Sequence, residues 1–166
     1  MKPSVLFCVA AMSLATLTQP VLAQGVQKPK GGSYNFWEAM GWQQHAQNQA
    51  RSLYHYGQTQ QPTPAQAKEH ATAARQAIEK SQTHLSQLKK DNPDNKEAQE
   101  AIATIEKIQK KILGHCDMMD KALAKADFVE MCSCCADIHE EVDAANAAMA
   151  KLQKALKIED HAPKKK

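Results

Sequence analysis

Seven cysteine, histidine and methionine residues carry side chains that could bind a metal ion: His70, His115, Cys116, Met119, Cys132, Cys135 and His139. Cys132, Cys135 and His139 stand at i, i+3 and i+7, a spacing that places them on one face of a helix. Thiolates and thioethers select soft ions such as Cu(I), and imidazole together with thiolate also suits Zn(II). The residue types therefore predict a Cu(I) or Zn(II) site, provided that the fold brings these segments together.

Two other interpretations of the same residues stay open. Free cysteine is among the most buried residue types and methionine fills irregular gaps, so these side chains can equally be ordinary core residues. The four cysteines beyond the first 23 residues are an even number, which in an exported protein favours a disulfide from Cys116 to Cys132 or Cys135. Cys134 is expected to point away from the face that Cys132 and Cys135 share.

The elements that position these residues are predicted to be helices, because four helix-start signals occur in order along the chain. In three places a capping side chain stands three residues before a glutamate: Asn35 with Glu38, Asp94 with Glu97, and Asp127 with Glu130. That spacing is the capping box, which satisfies two backbone amides at a helix start. Thr63 before Pro64 is a fourth start, since proline is favoured at the first helical position. The predicted helices are 36–56, 64–90, 95–124 and 128–158.

No segment alternates apolar and polar residues in the manner of a strand, so the predicted fold is all-α, an antiparallel up-down four-helix bundle. Short links make consecutive helices antiparallel, and residues at equal distances from a link then lie at one level. On that basis we expect Met119 opposite Cys132, His115 and Cys116 opposite Cys135, and His70 opposite His115. One layer of the bundle then holds thiols, thioethers and imidazoles, with His139 a turn away.

Apolar residues recur every three or four positions in the third and fourth predicted helices, which is the pattern of a core-facing stripe. The second helix has a weaker stripe, and the first has only a few large apolar residues among glutamines. We therefore expect the third and fourth helices to form the stable hairpin. The first helix is expected to be the loosest or to pack on a partner, which leaves a helix-mediated oligomer open.

The N-terminus has the features of a secretory signal peptide. Lys2 precedes an almost entirely apolar run from Val5 to Leu17, and Ala23 ends a short exit segment of small and aliphatic residues. The run is shorter than the roughly 20 residues that a membrane-spanning helix needs. We predict a signal peptide over 1–23, a flexible mature N-terminus over 24–34, the bundle over 35–158 and a basic flexible tail over 159–166, with no transmembrane segment after cleavage.

Composition and motifs argue against two broad classes of function. The net charge of +3 is small and evenly spread, which argues against nucleic acid as a partner. The sequence contains no glycine-rich phosphate loop, no nucleophile elbow and no His-Glu-x-x-His motif. We therefore predict that the protein is not an enzyme.

The segment Cys132-Ser133-Cys134-Cys135 resembles the first four positions of the Cys-x-x-Cys-His motif through which the cytochrome c′ family, also exported four-helix bundles, attaches haem. Ala136 stands where the axial histidine of that motif belongs, so we predict no covalent haem. The sequence as a whole predicts an exported helix-bundle protein that binds a soft transition metal in its core. The alternative is a noncatalytic structural or protein-interaction module whose cysteines and methionines are core or disulfide residues.

Overall fold

The computed structural model describes residues 32–59 and 62–159, which form four long helices. Helix α1 spans Gly32–Thr59, α2 spans Pro64–Asp91, α3 spans Lys96–Ala124 and α4 spans Phe128–Ala155. The described residues contain no strand, and the predicted all-α class is confirmed. The predicted signal peptide, positions 24–31 of the predicted flexible segment and positions 160–166 of the predicted tail lie outside the described residues. None of the described helices is long and apolar enough to cross a membrane.

Helices α2 and α4 begin at the residues that the sequence predicts. Thr63 and Gln66 form a reciprocal capping box at the start of α2. At the start of α4 the Asp127 side chain accepts a hydrogen bond from the backbone N–H of Glu130, at 3.0 Å. Both caps satisfy backbone amides that have no partner within the helix. The α4 helix ends at Ala155, three residues before the predicted end.

Helices α1 and α3 begin at other residues than predicted. Asn95 caps α3 in place of Asp94, and its side-chain oxygen accepts a hydrogen bond from the backbone three residues on. The α1 helix already begins at Gly32, so the start predicted at Asn35 is wrong, and residues 32–34 are helical instead of flexible. The Asn35 side chain contacts α2 instead, with its oxygen 3.0 Å from Nδ1 of His84.

The four helices form the antiparallel up-down bundle that the sequence predicts. Helix α1 packs against α2 and α4, and α3 packs against the same two helices from the opposite corner. Ion pairs between Lys89 and Glu106 and between Arg75 and Asp120 show that α2 and α3 run in opposite directions. The α1–α2 and α3–α4 links therefore lie at one end of the bundle, and the α2–α3 link lies at the other.

Helix α1 packs against α2 as extensively as α3 packs against α4, so the expectation that α1 is the loosest helix is wrong. Small buried side chains explain the difference, because alanines allow two helix backbones to approach closely. Seven buried alanines line the two helices: Ala39, Ala46, Ala50, Ala67, Ala71, Ala74 and Ala77. Alanines add little to a stripe of large apolar residues, so the sequence prediction underestimated the packing of α1 on α2.

A buried polar layer divides the core into two apolar clusters. Gln109 Nε2 donates to Gln43 Oε1 at 3.0 Å and to Ser81 Oγ at 2.9 Å, and Ser81 Oγ donates to the backbone carbonyl of Ala39 at 2.9 Å. These bonds join α1, α2 and α3. Because an axial shift of α1, α2 or α3 would break these buried hydrogen bonds, the layer favours one register among these three helices. The metal-site residues lie on the side of this layer that faces the α3–α4 link.

Candidate metal centre

Five sulfur-bearing side chains are buried at the α3–α4 interface, and we call them the sulfur cluster: Cys116, Met119, Met131, Cys134 and Cys135. None of them is more than 1% exposed. The Cys135 thiol donates to Met119 Sδ across the interface, with 3.7 Å between the two sulfurs. Apolar side chains such as Leu53 and Ile112 belong to the same core cluster. The sulfurs are therefore shielded from solvent.

Cys134 belongs to this cluster, although the sequence analysis expected it to point away. It is buried as completely as Cys135, whereas Cys132 is only partly buried. The buried stripe of α4 passes through Met131, Cys134, Cys135 and Ile138, which stand three or four residues apart. The same spacing is visible in the sequence. A core-facing stripe of α4 that starts at Met131 includes Cys134.

The register between α3 and α4 is close to the predicted one, because the ion pairs Lys111–Glu141 and His115–Asp137 each join residues equally distant from Ala126. Met119 contacts Cys135, one turn further along α4 than Cys132, which was the predicted neighbour. Lys111 forms an ion pair with Glu141 at 2.8 Å, further along the same helix pair. The two helices thus cross the level of the sulfur cluster with Met119 and Cys135 in contact.

The buried thiols are protonated at neutral pH. Burial raises the pKa of Cys116 and of Cys135 to about 12, and that of Cys134 to about 11, because a thiolate loses its solvation in the core. The guanidinium of Arg75 opposes this rise at Cys116. All four cysteines of the described residues are free thiols, so none of the disulfides considered from the sequence is present there.

Arg75 is the α2 residue that lies level with Cys116 and Met119. Its Nη2 is 2.7 Å from Oδ2 of Asp120 and 2.9 Å from Oδ1 of Asp117. Arg75 places a positive charge beside the cluster, and it was not among the residues selected from the sequence. A basic residue in the middle of a predicted α2 stripe was the only signal for it in the sequence.

His70 does not lie opposite His115, and that expectation is wrong. It precedes Arg75 by five residues on an antiparallel helix, so it lies closer to the α1–α2 link than the sulfur cluster does. Its Nδ1 is 2.6 Å from Oε1 of Gln49 on α1, and its ring centroid is 6.0 Å from that of Tyr56. The predicted level of His70 assumed a symmetric turn at Asn92, and the α2–α3 link does not have that geometry.

His115 lies at the edge of the sulfur cluster and faces α4. Its Nδ1 is buried without a hydrogen bond to any described residue, and lies 3.5 Å from Oδ2 of Asp137. Asp137 is also close enough to Cys134 for its charge to raise the pKa of that thiol. His115 is therefore a neighbour of the cluster through Asp137.

Cys132 lies between the sulfur cluster and α1, at a point of very close approach. A Cβ built on Gly57 would collide with Cys132 Sγ and come within 3.3 Å of Met131 Cε. Helix α1 continues through Gly57, beyond residue 56, where the first helix was predicted to end. A larger residue at position 57 therefore requires the Cys132 side chain to move.

His139 lines a groove between α1 and α4, which we call the access groove. The groove consists of a cavity of about 540 Å³ and an adjoining one of about 530 Å³, and both are lined by Tyr54 and Ala136. The first cavity also contains His55, His139 and the inner thiol Cys135 on its walls. The access groove therefore connects two histidines at the surface with one thiol of the sulfur cluster.

Within the part of the chain that the structure describes, no group of three or more histidine, cysteine, aspartate or glutamate side chains is arranged to hold a metal ion. Methionine is not among those four residue types, and two of the five sulfur-cluster side chains are methionines. Comparisons of the chain with protein-family models, with curated proteins and with solved structures returned no match.

Proposed function

We propose that this protein is exported, is not an enzyme, and binds one Cu(I) ion in the sulfur cluster. The observation that carries the proposal is the buried pair of Cys135 Sγ and Met119 Sδ, 3.7 Å apart. With metal–sulfur bonds of about 2.3 Å, the length of zinc–thiolate bonds, two sulfurs at that separation subtend about 107° at a shared ion. That angle lies close to the trigonal and tetrahedral values, so the separation of the two sulfurs suits ligation of one shared ion.

Cys116 is the third ligand in this proposal. It precedes Met119 by three residues on α3, which puts both side chains on one face of the helix. The charges of ionised Cys132, Cys134 and Cys116, in decreasing order, raise the pKa of Cys135, so Cys116 is one of three thiols near it. A Cu(I) ion with two thiolates carries one net negative charge. The Arg75 guanidinium favours a negative charge at Cys116, whereas Asp117 and Asp120, which pair with Arg75, disfavour it.

Cu(I) suits this site better than Zn(II). A thioether is a soft ligand that selects Cu(I), whereas structural zinc is held by four cysteine, histidine or carboxylate ligands in a tetrahedron. The Nδ1 atom of His70 lies beside Gln49 and that of His115 beside Asp137, so these two imidazoles have polar neighbours outside the sulfur cluster. The proposal therefore narrows the ion predicted from the sequence to Cu(I).

The test is an anaerobic titration of the reduced protein with Cu(I) in competition with the chromogenic chelator bicinchoninate. We expect one tightly bound ion per chain, and we expect Cys135→Ser and Met119→Leu each to weaken binding about tenfold or more, a loss of at least about 1.4 kcal/mol. Met149→Leu is the matched control, because Met149 is a buried methionine of α4 in the other core cluster, and this variant should bind like the wild type.

A helical module that takes no ion is the second candidate, and the raised thiol pKa values favour it. A protonated cysteine packs as a small apolar residue, and Cys116, Cys134 and Cys135 are all buried in that form. The same titration separates the two candidates. A wild type that cannot compete with bicinchoninate for Cu(I) supports the structural module. A Cys135→Ser variant that competes as well as the wild type rejects the sulfur cluster as the copper site.

A further inference from the structure

We infer that Cu(I) reaches the sulfur cluster through the access groove, and that His55 and His139 bind it transiently on the way to Cys135. The inference rests on the proposed function and adds to it a second, external site with a different ligand chemistry. Its basis is the composition of the cavity wall, where two imidazoles from two different helices and one cluster thiol border the same space of about 540 Å³.

The exposures of these three residues form a gradient from solvent to core. His55 is exposed, the His139 side chain is 42% exposed, and Cys135 is only 1% exposed although it lines the cavity. An ion in the cavity thus meets the imidazoles while it is still in contact with water, and the thiol after it has lost most of that contact. His139 Nδ1 is 3.4 Å from Oδ2 of Asp143, a contact that favours Nε2 as the nitrogen available to a metal.

Transfer from the groove to the cluster is a ligand exchange without a change of oxidation state. The Cu–N bond to His139 breaks as the Cu–S bond to Cys135 forms, the Cu–N bond to His55 breaks as the bond to Cys116 forms, Met119 completes the site, and copper stays Cu(I) throughout. The Cys135 thiol gives its proton to the released imidazole of His139, and the Cys116 thiol gives its proton to that of His55. Imidazole suits this role because it binds copper less strongly than thiolate does and can take up a proton near neutral pH.

Residues that act only on the route change the rates of uptake and release by the same factor and leave the equilibrium affinity unchanged. The experiment therefore measures all three quantities in the full chain, by stopped-flow transfer of Cu(I) from bicinchoninate and by return transfer to excess chelator. We expect a His55→Ala/His139→Ala double variant to take up and release Cu(I) at least about tenfold more slowly than the wild type, with an affinity within about twofold. His45→Ala is the matched control, because His45 is another exposed histidine of α1 but lies near Trp42, away from the groove.

Three other results would overturn the proposed route. Unchanged rates in the double variant, with normal affinity, overturn the route and leave the copper site standing. A loss of affinity with an unchanged uptake rate also overturns it, because the histidines would then be ligands of the final site. A wild type that binds no Cu(I) at equilibrium rejects the proposed function itself, and with it this route.

Discussion

Raising the pH from 8 to 10 is expected to destabilise the reduced, metal-free protein through its buried thiols. Cys116, Cys134 and Cys135 have pKa values of about 12, 11 and 12 in the folded protein, against an ordinary value of 9.0. Between these limits the unfolded chain loses the thiol protons and the folded protein keeps them. The stability that the raised pKa values contribute is therefore fully present below pH 9 and is lost as the pH rises towards 11 to 12.

The size of the loss follows from the same values. A thiol that is ionised only in the unfolded chain reduces the free energy of unfolding by about 1.4 kcal/mol per pH unit. Between pH 8 and pH 10 nearly all of that effect falls above pH 9, so each thiol accounts for about 1.3 kcal/mol and the three together for about 4 kcal/mol. A typical domain has a total stability of only about 5–15 kcal/mol, so the change is large enough to measure.

Urea unfolding followed by circular dichroism, under anaerobic reducing conditions at pH 8 and pH 10, measures the effect. Lysines and tyrosines also titrate in this range, so the informative quantity is the difference between variants. Cys135→Ala is expected to lose about 1.3 kcal/mol less than the wild type between the two pH values. Cys132→Ala, which removes a partly exposed thiol, should differ less from the wild type. An equal loss in Cys135→Ala and the wild type would refute the reasoning that this thiol is protonated in a core shielded from solvent.

Three further predictions concern helix contacts, the polar layer and protons. Gly41→Ala, at an exposed position of α1 with open space around it, is expected to stabilise the protein by about 0.8–1 kcal/mol. Gly57→Ala should show no such gain because its Cβ meets Cys132 Sγ, and urea unfolding compares the two variants. Gln109→Leu is expected to cost about 1–3 kcal/mol because Gln43 loses its partner, and a Gln43→Leu/Gln109→Leu double variant should recover part of that loss; additive losses would contradict the coupling. Cu(I) binding at pH 7 is expected to release about two protons per ion, measured by calorimetry in buffers of different ionisation enthalpy, and release of none would contradict thiolate ligation.

Local signals in the sequence predicted the fold more successfully than they predicted the register between α2 and α3. Thr63 and Asp127 cap helices through residues three positions away, so their effect is contained in a few adjacent residues. Asn35 has the same spacing to a glutamate within a continuous helix, because three residues is also nearly one helical turn, and the pattern alone could not separate the two cases.

The candidate site depends on contacts between helices, and these were only partly predictable. Cys116, Met119 and Cys135 were selected from the sequence, because they fall on the core-facing stripes of α3 and α4. The position of His70 depended on the geometry of the α2–α3 link, which the sequence does not specify residue by residue. The approach of α1 at Gly57, and hence the access groove, depends on how four helices pack together, and no spacing within one helix encodes it.

Copper-edge X-ray absorption spectroscopy of the reduced protein, loaded with one Cu(I) per chain, tests the central claim most directly. The account predicts a first coordination shell of about three sulfurs and no nitrogen, which is the ligand set of Cys116, Met119 and Cys135. The spectrum of a His70→Ala variant should be identical, because that side chain contacts Gln49 on α1 and not the sulfur cluster. A nitrogen ligand that disappears in His70→Ala, or a protein that retains no copper for the measurement, would contradict the account.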